Sequence, residues 1–175
     1  MPERRKVYYF DTVTLSNFAL AGRFDVLIMR YGERLLLTLE VLDELAEGVI
    51  AGYGPLREIE KAVEDGRIKR AEASMSSSAR QTYRELLRVL GPGEASCIAH
   101  ASGCKGVVVS DDRAARLCCT EKGIAVTGTI GILKACCIDG SITEKEADGI
   151  LHAMIAAGFY SPIRCMGECP EFSSQ

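Results

Sequence analysis

Between Gly106 and Ala135 the chain reads "GVVVSDDRAARLCCTEKGIAVTGTIGILKA". Three consecutive valines stop at a serine and two aspartates, and a basic, helix-friendly stretch follows. A second run with β-branched residues, "IAVTG", then opens into another helical stretch. Unbroken apolar runs, as opposed to alternating ones, are what strands buried on both faces require. A helical crossover between such strands is how parallel neighbours are joined. This segment therefore commits the chain to an α/β architecture with a mostly parallel sheet covered on both faces.

The rest of the chain is consistent with that frame. "KVYYFDT" predicts a first strand that stops at Asp11, and "LSNFALAGRFDVLIMRYG" predicts one or two short helices interrupted around Gly22. "RLLLT" predicts a second strand, with Thr38 as N-cap of a helix in which Leu39, Leu42 and Leu45 recur before Gly48. "PLREIEKAVEDG" predicts a further helix, and "RIKRAEAS" a strand or loop. "SSSARQTYRELLRVLG" predicts an amphipathic helix ending at Gly91, with Tyr83, Leu86, Leu87 and Leu90 as its stripe. After the break at Pro92-Gly93, "EASCIAHAS" predicts a small-residue helix suited to close packing. Thr143 and Glu146 form a capping-box pattern for a last helix that buries Ile150, Leu151, Met154 and Ile155. We expect a single domain over residues 1–160 and a C-terminal tail over 161–175, frayed at "PEFSSQ".

Composition narrows the function classes. The net charge of −3 gives no global attraction to nucleic acid, so any polyanion must meet a local basic patch. No apolar run reaches the roughly 20 residues of a membrane span. The apolar stretch near the N-terminus meets Asp11 after four residues, unlike a signal peptide, so a cytoplasmic location is expected. The eight cysteines are read as free core residues, because their spacing lacks CxxC and any finger-like Cys/His grouping. The two histidines, His100 and His152, both fall in helices among apolar neighbours. The sequence contains no G-x-S-x-G elbow, P-loop or G-x-G-x-x-G fingerprint.

What remains is carboxylate chemistry. In an open α/β sheet, ligands sit at the carboxyl ends of the strands. Asp11, Asp111 and Asp112 fall at that edge, and Glu94 falls in the first turn of its helix. Each has a plain explanation taken singly: an aspartate after a strand caps a helix, and an early helical glutamate complements the dipole. Glu44 shares a stripe with Glu40 and Glu47 that reads as a solvated acidic face. Taken together, several carboxylates at one edge repel one another unless a cation binds among them. An all-oxygen set suits Mg²⁺ or Mn²⁺.

In order, "YYFDTVTLSNFAL", "TLEVLDEL", "GPGEASCIAHA" and "VVVSDDRAARLCCTEKGIAVTGTIGILKA" resemble the motifs of PIN domains, closest to a VapC-like toxin subgroup. The resemblance covers the chain from Val7 to about Phe159. It implies a three-layer α/β/α PIN-like domain and an endoribonuclease using Mg²⁺ or Mn²⁺. It also implies the toxin role of a toxin–antitoxin pair, with an antitoxin partner and a homodimer. Carried over residue by residue, the acids are Asp11, Glu44, Glu94 and the strand-end motif Ser110-Asp111-Asp112, with Thr12 and Ser16 as polar partners. Asp11, Glu94 and Asp112 are the implied metal ligands. The motif points to Asp112, whereas helix capping gives the opposite assignment, because Asp112 directly precedes "RAAR" and leaves Asp111 for the metal. We give the motif precedence. Ala114 stands where the family often has a further acid.

Arg113, Arg116, Lys105 and Lys134 are the expected phosphate contacts. With only 6% aromatic residues, extensive base stacking is not expected, and recognition of RNA shape or a short single-stranded loop is. Two rivals stand beside the nuclease: a catalytically inactive PIN-like interaction module, and a metal-dependent phosphatase. The phosphatase chemistry needs Asp-x-Asp, and here the chain reads Asp11-Thr12-Val13.

Overall fold

The computed structural model describes residues 6–72 and 74–169. Five parallel strands form one sheet: β1 (Tyr8–Phe10), β2 (Leu35–Leu37), β3 (Lys69–Arg70), β4 (Val107–Val109) and β5 (Ala125–Thr127), in the order β3-β2-β1-β4-β5. "RIKRAEAS" resolves into a two-residue edge strand. The helices are α1 (Thr12–Leu20), α2 (Phe24–Tyr31), α3 (Leu39–Ile50), α4 (Arg57–Glu64), α5 (Ser77–Leu86), α6 (Pro92–Cys104), α7 (Arg113–Glu121), α8 (Thr129–Ile138) and α9 (Glu144–Ala156). They cover both faces of the sheet, giving the three-layer α/β/α fold expected of the sequence.

All three valines of β4 are buried, as a central strand with helices on either side demands. Phe10, Phe18, Phe24, Leu35, Leu37, Ile98, Ile132 and Leu151 complete the core around it. Each such side chain contributes about 1.5–3 kcal/mol by leaving water. The small-residue helix α6 lies directly on β1 and β4, with Ala95, Ser96, Cys97, Ala99 and Ala101 all inaccessible to solvent. Short side chains there let helix and sheet approach closely.

Several boundaries differ from expectation. Helix α3 continues through Gly48 to Ile50, and Gly48 is where Leu56 packs closely on it: a Cβ there would stand 2.8 Å from Leu56 Cδ1. Leu39, placed on the apolar repeat, is 65% exposed. Helix α5 stops at Leu86, leaving Leu87 exposed, and a turn over residues 87–90 leads to Gly91, which takes the extended N-cap conformation ahead of Pro92, the first residue of α6. Ile155 is partly exposed at the end of α9, whereas Ile150, Leu151 and Met154 are buried. The capping box of Thr143 and Glu146 forms as predicted.

Beyond residue 160 the chain folds back: Met166 and Cys169 join the core, and Met166 N–H donates to Asp148 Oδ1 at 2.6 Å. The terminal "PEFSSQ" lies outside the described residues. Cys97, Cys119, Cys136 and Cys169 are buried. No described helix is long and apolar enough to cross a membrane.

Candidate metal centre

The strand order reverses direction between β1 and β4: the chain moves outward through β2 and β3 on one side, then returns to add β4 and β5 on the other. Such a switch point opens a crevice beyond the carboxyl ends of the two central strands. Asp11 directly follows β1, and Ser110, Asp111 and Asp112 follow β4. Helices α1, α3, α6, α7 and α8 also begin at this edge, so their first-turn backbone N–H groups and positive dipole ends lie along it.

Each aspartate serves one helix start. Asp11 caps α1 through Oδ1, which accepts from Thr14 N–H at 2.7 Å. Asp112 caps α7 through Oδ1, which accepts from Ala115 N–H at 2.7 Å. Asp111 caps α8 from a distance in sequence: its Oδ1 accepts from Thr129 N–H at 2.9 Å, and its Oδ2 accepts from the Thr129 hydroxyl. Gly128, the residue at the start of α8, has no side chain to do this, and a Cβ there would collide with the Asp111 carboxylate. Asp111 is therefore a brace between β4 and α8, with both oxygens engaged.

The two glutamates meet at the start of α6. Glu44, from α3, accepts the Gly93 N–H on Oε1 at 2.9 Å and the Thr12 hydroxyl on Oε2. Glu94 is half-buried one residue further on. It is raised above the usual carboxylate range first by burial and then by the charges of Glu44 and Asp112, against its own and Gly91's backbone N–H groups, which lower it. Beneath them lies Cys97, fully buried, whose thiol is raised by burial and by the charges of Asp11, Glu44 and Glu94.

A family model described as "DUF3368: PIN domain" matches residues 7–169, nearly the whole chain. The chain belongs to the PIN domain family. No curated protein matches it. PIN domains are in general nucleases that act on RNA and typically use divalent metals.

Within this PIN domain, Asp11 carries the clearest mark of a missing partner. The residue is 2% exposed, and its Oδ2 is buried without a hydrogen-bond partner. Burial pushes the carboxyl up to about 6, and the Asp111 charge adds to the rise. The Thr14 N–H and the nearby Ser110 and Thr14 hydroxyls hold it lower than burial alone would. A desolvated carboxylate oxygen is costly unless something positive meets it. Among the described residues no three His, Cys, Asp or Glu side chains already close on one point. The donors at hand are all carboxylate oxygens, gathered at one edge with one oxygen orphaned, and this chemistry fits a hard cation such as Mg²⁺ or Mn²⁺.

The basic and polar residues of this PIN domain divide. Arg116 Nη1 donates to Ser110 O at 3.0 Å, which holds its guanidinium at the acidic edge, and exposed Arg113 starts the same helix. Lys105 ends α6 and precedes β4, so it sits at the opposite, amino-terminal edge of the sheet and leaves the expected phosphate-contact set. Lys134 is partly buried in α8. Ser16 donates to Thr12 O at 2.7 Å. Sequence reasoning missed Thr129, Gly93 and Cys97. Only the "GT" after the last strand hinted at the first, and nothing local marks the other two.

Proposed function

We propose that this PIN domain is a Mg²⁺- or Mn²⁺-dependent endoribonuclease that hydrolyses phosphodiester bonds of RNA. The observation that carries the reading is the orphaned, buried Oδ2 of Asp11 at the switch point of the sheet. Asp11, Glu94 and Asp112 would hold the cation. When bound, it supplies Lewis-acid neutralisation of the phosphate and acidifies water.

The chain's own residues prepare the remainder. Capping fixes Oδ1 of Asp11 and of Asp112 on backbone N–H groups, so each carboxylate presents its other oxygen in a set orientation. Thr12 and Gly93 hold Glu44 beside Glu94, where its charge adds to the negative potential that draws a cation to this end of α6. Arg113 and Arg116 draw the RNA backbone toward an edge that is otherwise acidic.

The same reading assigns an RNA strand as substrate. Following the VapC-like resemblance, it also assigns an antitoxin protein and a second copy of the chain as partners. Co-purification with the product of any adjacent small reading frame, and the mass in solution, test those two assignments. The activity itself is tested by incubating purified protein with structured and single-stranded RNA in Mn²⁺ or EDTA. Cleavage in Mn²⁺ that is lost in EDTA and in Asp11→Asn is expected. Cleavage that survives both sinks the proposal.

A further inference from the structure

Beside the acids, and outside the set just assigned to the cation, lies a cavity of about 330 Å³. One wall is α1, through Thr12 and Ser16. Another is the turn after α3, which brings in Tyr53, and the third is the turn after α9, which brings in Phe159; Glu44, Asn17 and the apolar Leu20 and Leu56 also line it. The fold goes to some trouble to place the two aromatics. Bare backbone at Gly48 lets the Gly52–Leu56 turn settle on α3, and Gly52 takes a positive φ of 104° to start that turn. Gly158, at a φ of 107°, ends α9, and Phe159 N–H returns to Met154 O at 2.9 Å, which swings the ring back over the edge. On the other side of Phe159 a second hollow of about 260 Å³ runs along Asp111 and Arg116, with Tyr160 at 95% exposure on its rim.

We propose that the Tyr53–Phe159 cavity holds one unpaired nucleobase of the RNA strand whose phosphate lies on the acids. This rests on the nuclease reading and adds to it a base-binding subsite. The cavity shares Thr12 and Glu44 with the acidic edge, so whatever fills it is continuous with whatever lies on the acids. Its size falls at the lower end of small-molecule sites, roughly 300–1,000 Å³. Two aromatic walls match a flat heterocycle, and the Thr12 and Ser16 hydroxyl oxygens, whose protons go to Glu44 and to Thr12 O, are left as acceptors for its polar rim; single-stranded RNA is read by stacking its splayed bases on aromatic rings. Tyr53 is 55% exposed, too open for a core role and well placed for a stacking one.

The test is a fluorescence titration in Mn²⁺ with a phosphorothioate-linked oligoribonucleotide carrying 2-aminopurine at each position in turn, compared with the same strand abasic at that position. For one position, wild type is expected to quench the probe and to bind the abasic strand about tenfold more weakly. Tyr53→Ala is expected to lose about tenfold on the intact strand and nothing more on the abasic one, while Tyr53→Phe binds as wild type. Equal weakening of both strands by Tyr53→Ala overturns the subsite, as does indifference of wild type to base removal at every position, or no binding at all. The nuclease reading is judged separately, on Mn²⁺-dependent cleavage and its loss in Asp11→Asn.

Discussion

The backbone N–H of Gly93 donates to Glu44 Oε1 at 2.9 Å, and any side chain at position 93 would force that carboxylate to shift. A Cβ at position 93 would stand 2.5 Å from Glu44 Oε2, 2.8 Å from Oε1 and 2.9 Å from Cδ. Gly93→Ala therefore tests whether the position of Glu44 matters to catalysis separately from its presence. Alanine favours the helix by up to about 1 kcal/mol, and the displaced carboxylate is half-buried and can turn to water. Stability is expected to change by less than about 1 kcal/mol in chemical denaturation. Mn²⁺-dependent RNA cleavage is expected to fall at least tenfold. Wild-type turnover in Gly93→Ala would show that Glu44 is a structural tie only.

Asp11 illustrates a site that weakens its own fold. Its carboxyl is raised from 3.8 to about 6 by burial, so the folded chain holds a proton more tightly than the unfolded chain does. Stability from this group is full below about pH 4 and is lost as pH rises through 6. At pH 7 in EDTA the buried charge costs on the order of 3 kcal/mol. Asn can still cap α1. Asp11→Asn should accordingly be more stable than wild type at pH 7 and closer to it at pH 4, by urea denaturation in EDTA. Adding Mn²⁺ should raise the Tm of wild type and leave that of the variant nearly unchanged. A wild type that gains nothing from Mn²⁺ at pH 7 would remove Asp11 from the ligand set.

Much of this architecture was legible in the chain. The unbroken valines of β4 revealed a central strand buried on both faces, the "IAVTG" run marked its parallel neighbour β5, which lies half-exposed at the sheet edge, and helix caps at Thr38 and Thr143 were readable from local chemistry alone. Helix ends were harder: α5 stops at Leu86, and a turn over residues 87–90 leads to the extended Gly91 before Pro92, although the apolar spacing runs on to Leu90. Asp11, Asp111, Asp112 and Glu94 stood out because each follows a strand or opens a helix, whereas Glu44, in the middle of α3, entered only through the family resemblance. Their pairings were not legible. The ties of Glu44 to Gly93 and of Asp111 to Thr129 join segments 49 and 18 residues apart and depend on how helices meet in space. The edge occupied by Lys105 likewise follows from strand direction, which a basic residue beside a strand does not disclose.

Arg113 and Arg116 should differ in kind. Arg113 is exposed at the first turn of α7, whereas Arg116 is tied to Ser110 O at 3.0 Å. Arg113→Ala is expected to weaken RNA binding uniformly across sequences and to reduce the slope of log K against log salt by about 0.7, the single-strand value for one phosphate. Arg116→Lys keeps the charge but loses a planar donor group that can grip a carbonyl and a phosphate together. It should lower cleavage more than binding. Identical salt slopes in Arg113→Ala and wild type would take Arg113 out of the interface.

Asp111 and Asp112 are neighbours on the chain, and their hydrogen bonds give them separable consequences. Asp111 spends both oxygens on Thr129, which is fully buried, so Asp111→Ala strands a backbone N–H and a hydroxyl away from water. At about 1–3 kcal/mol for each stranded group, the loss should be on the order of 3 kcal/mol in urea denaturation. Asp112 uses one oxygen to cap α7 and is exposed, so Asp112→Ser keeps the cap and should leave stability within about 1 kcal/mol of wild type. If Asp112 is the ligand, the serine variant is stable, inactive and without Mn²⁺-induced stabilisation. An Asp112→Ser protein that still cleaves RNA and still gains stability from Mn²⁺ would move the ligand to Asp111, and the brace to α8 would then be the device that aims it.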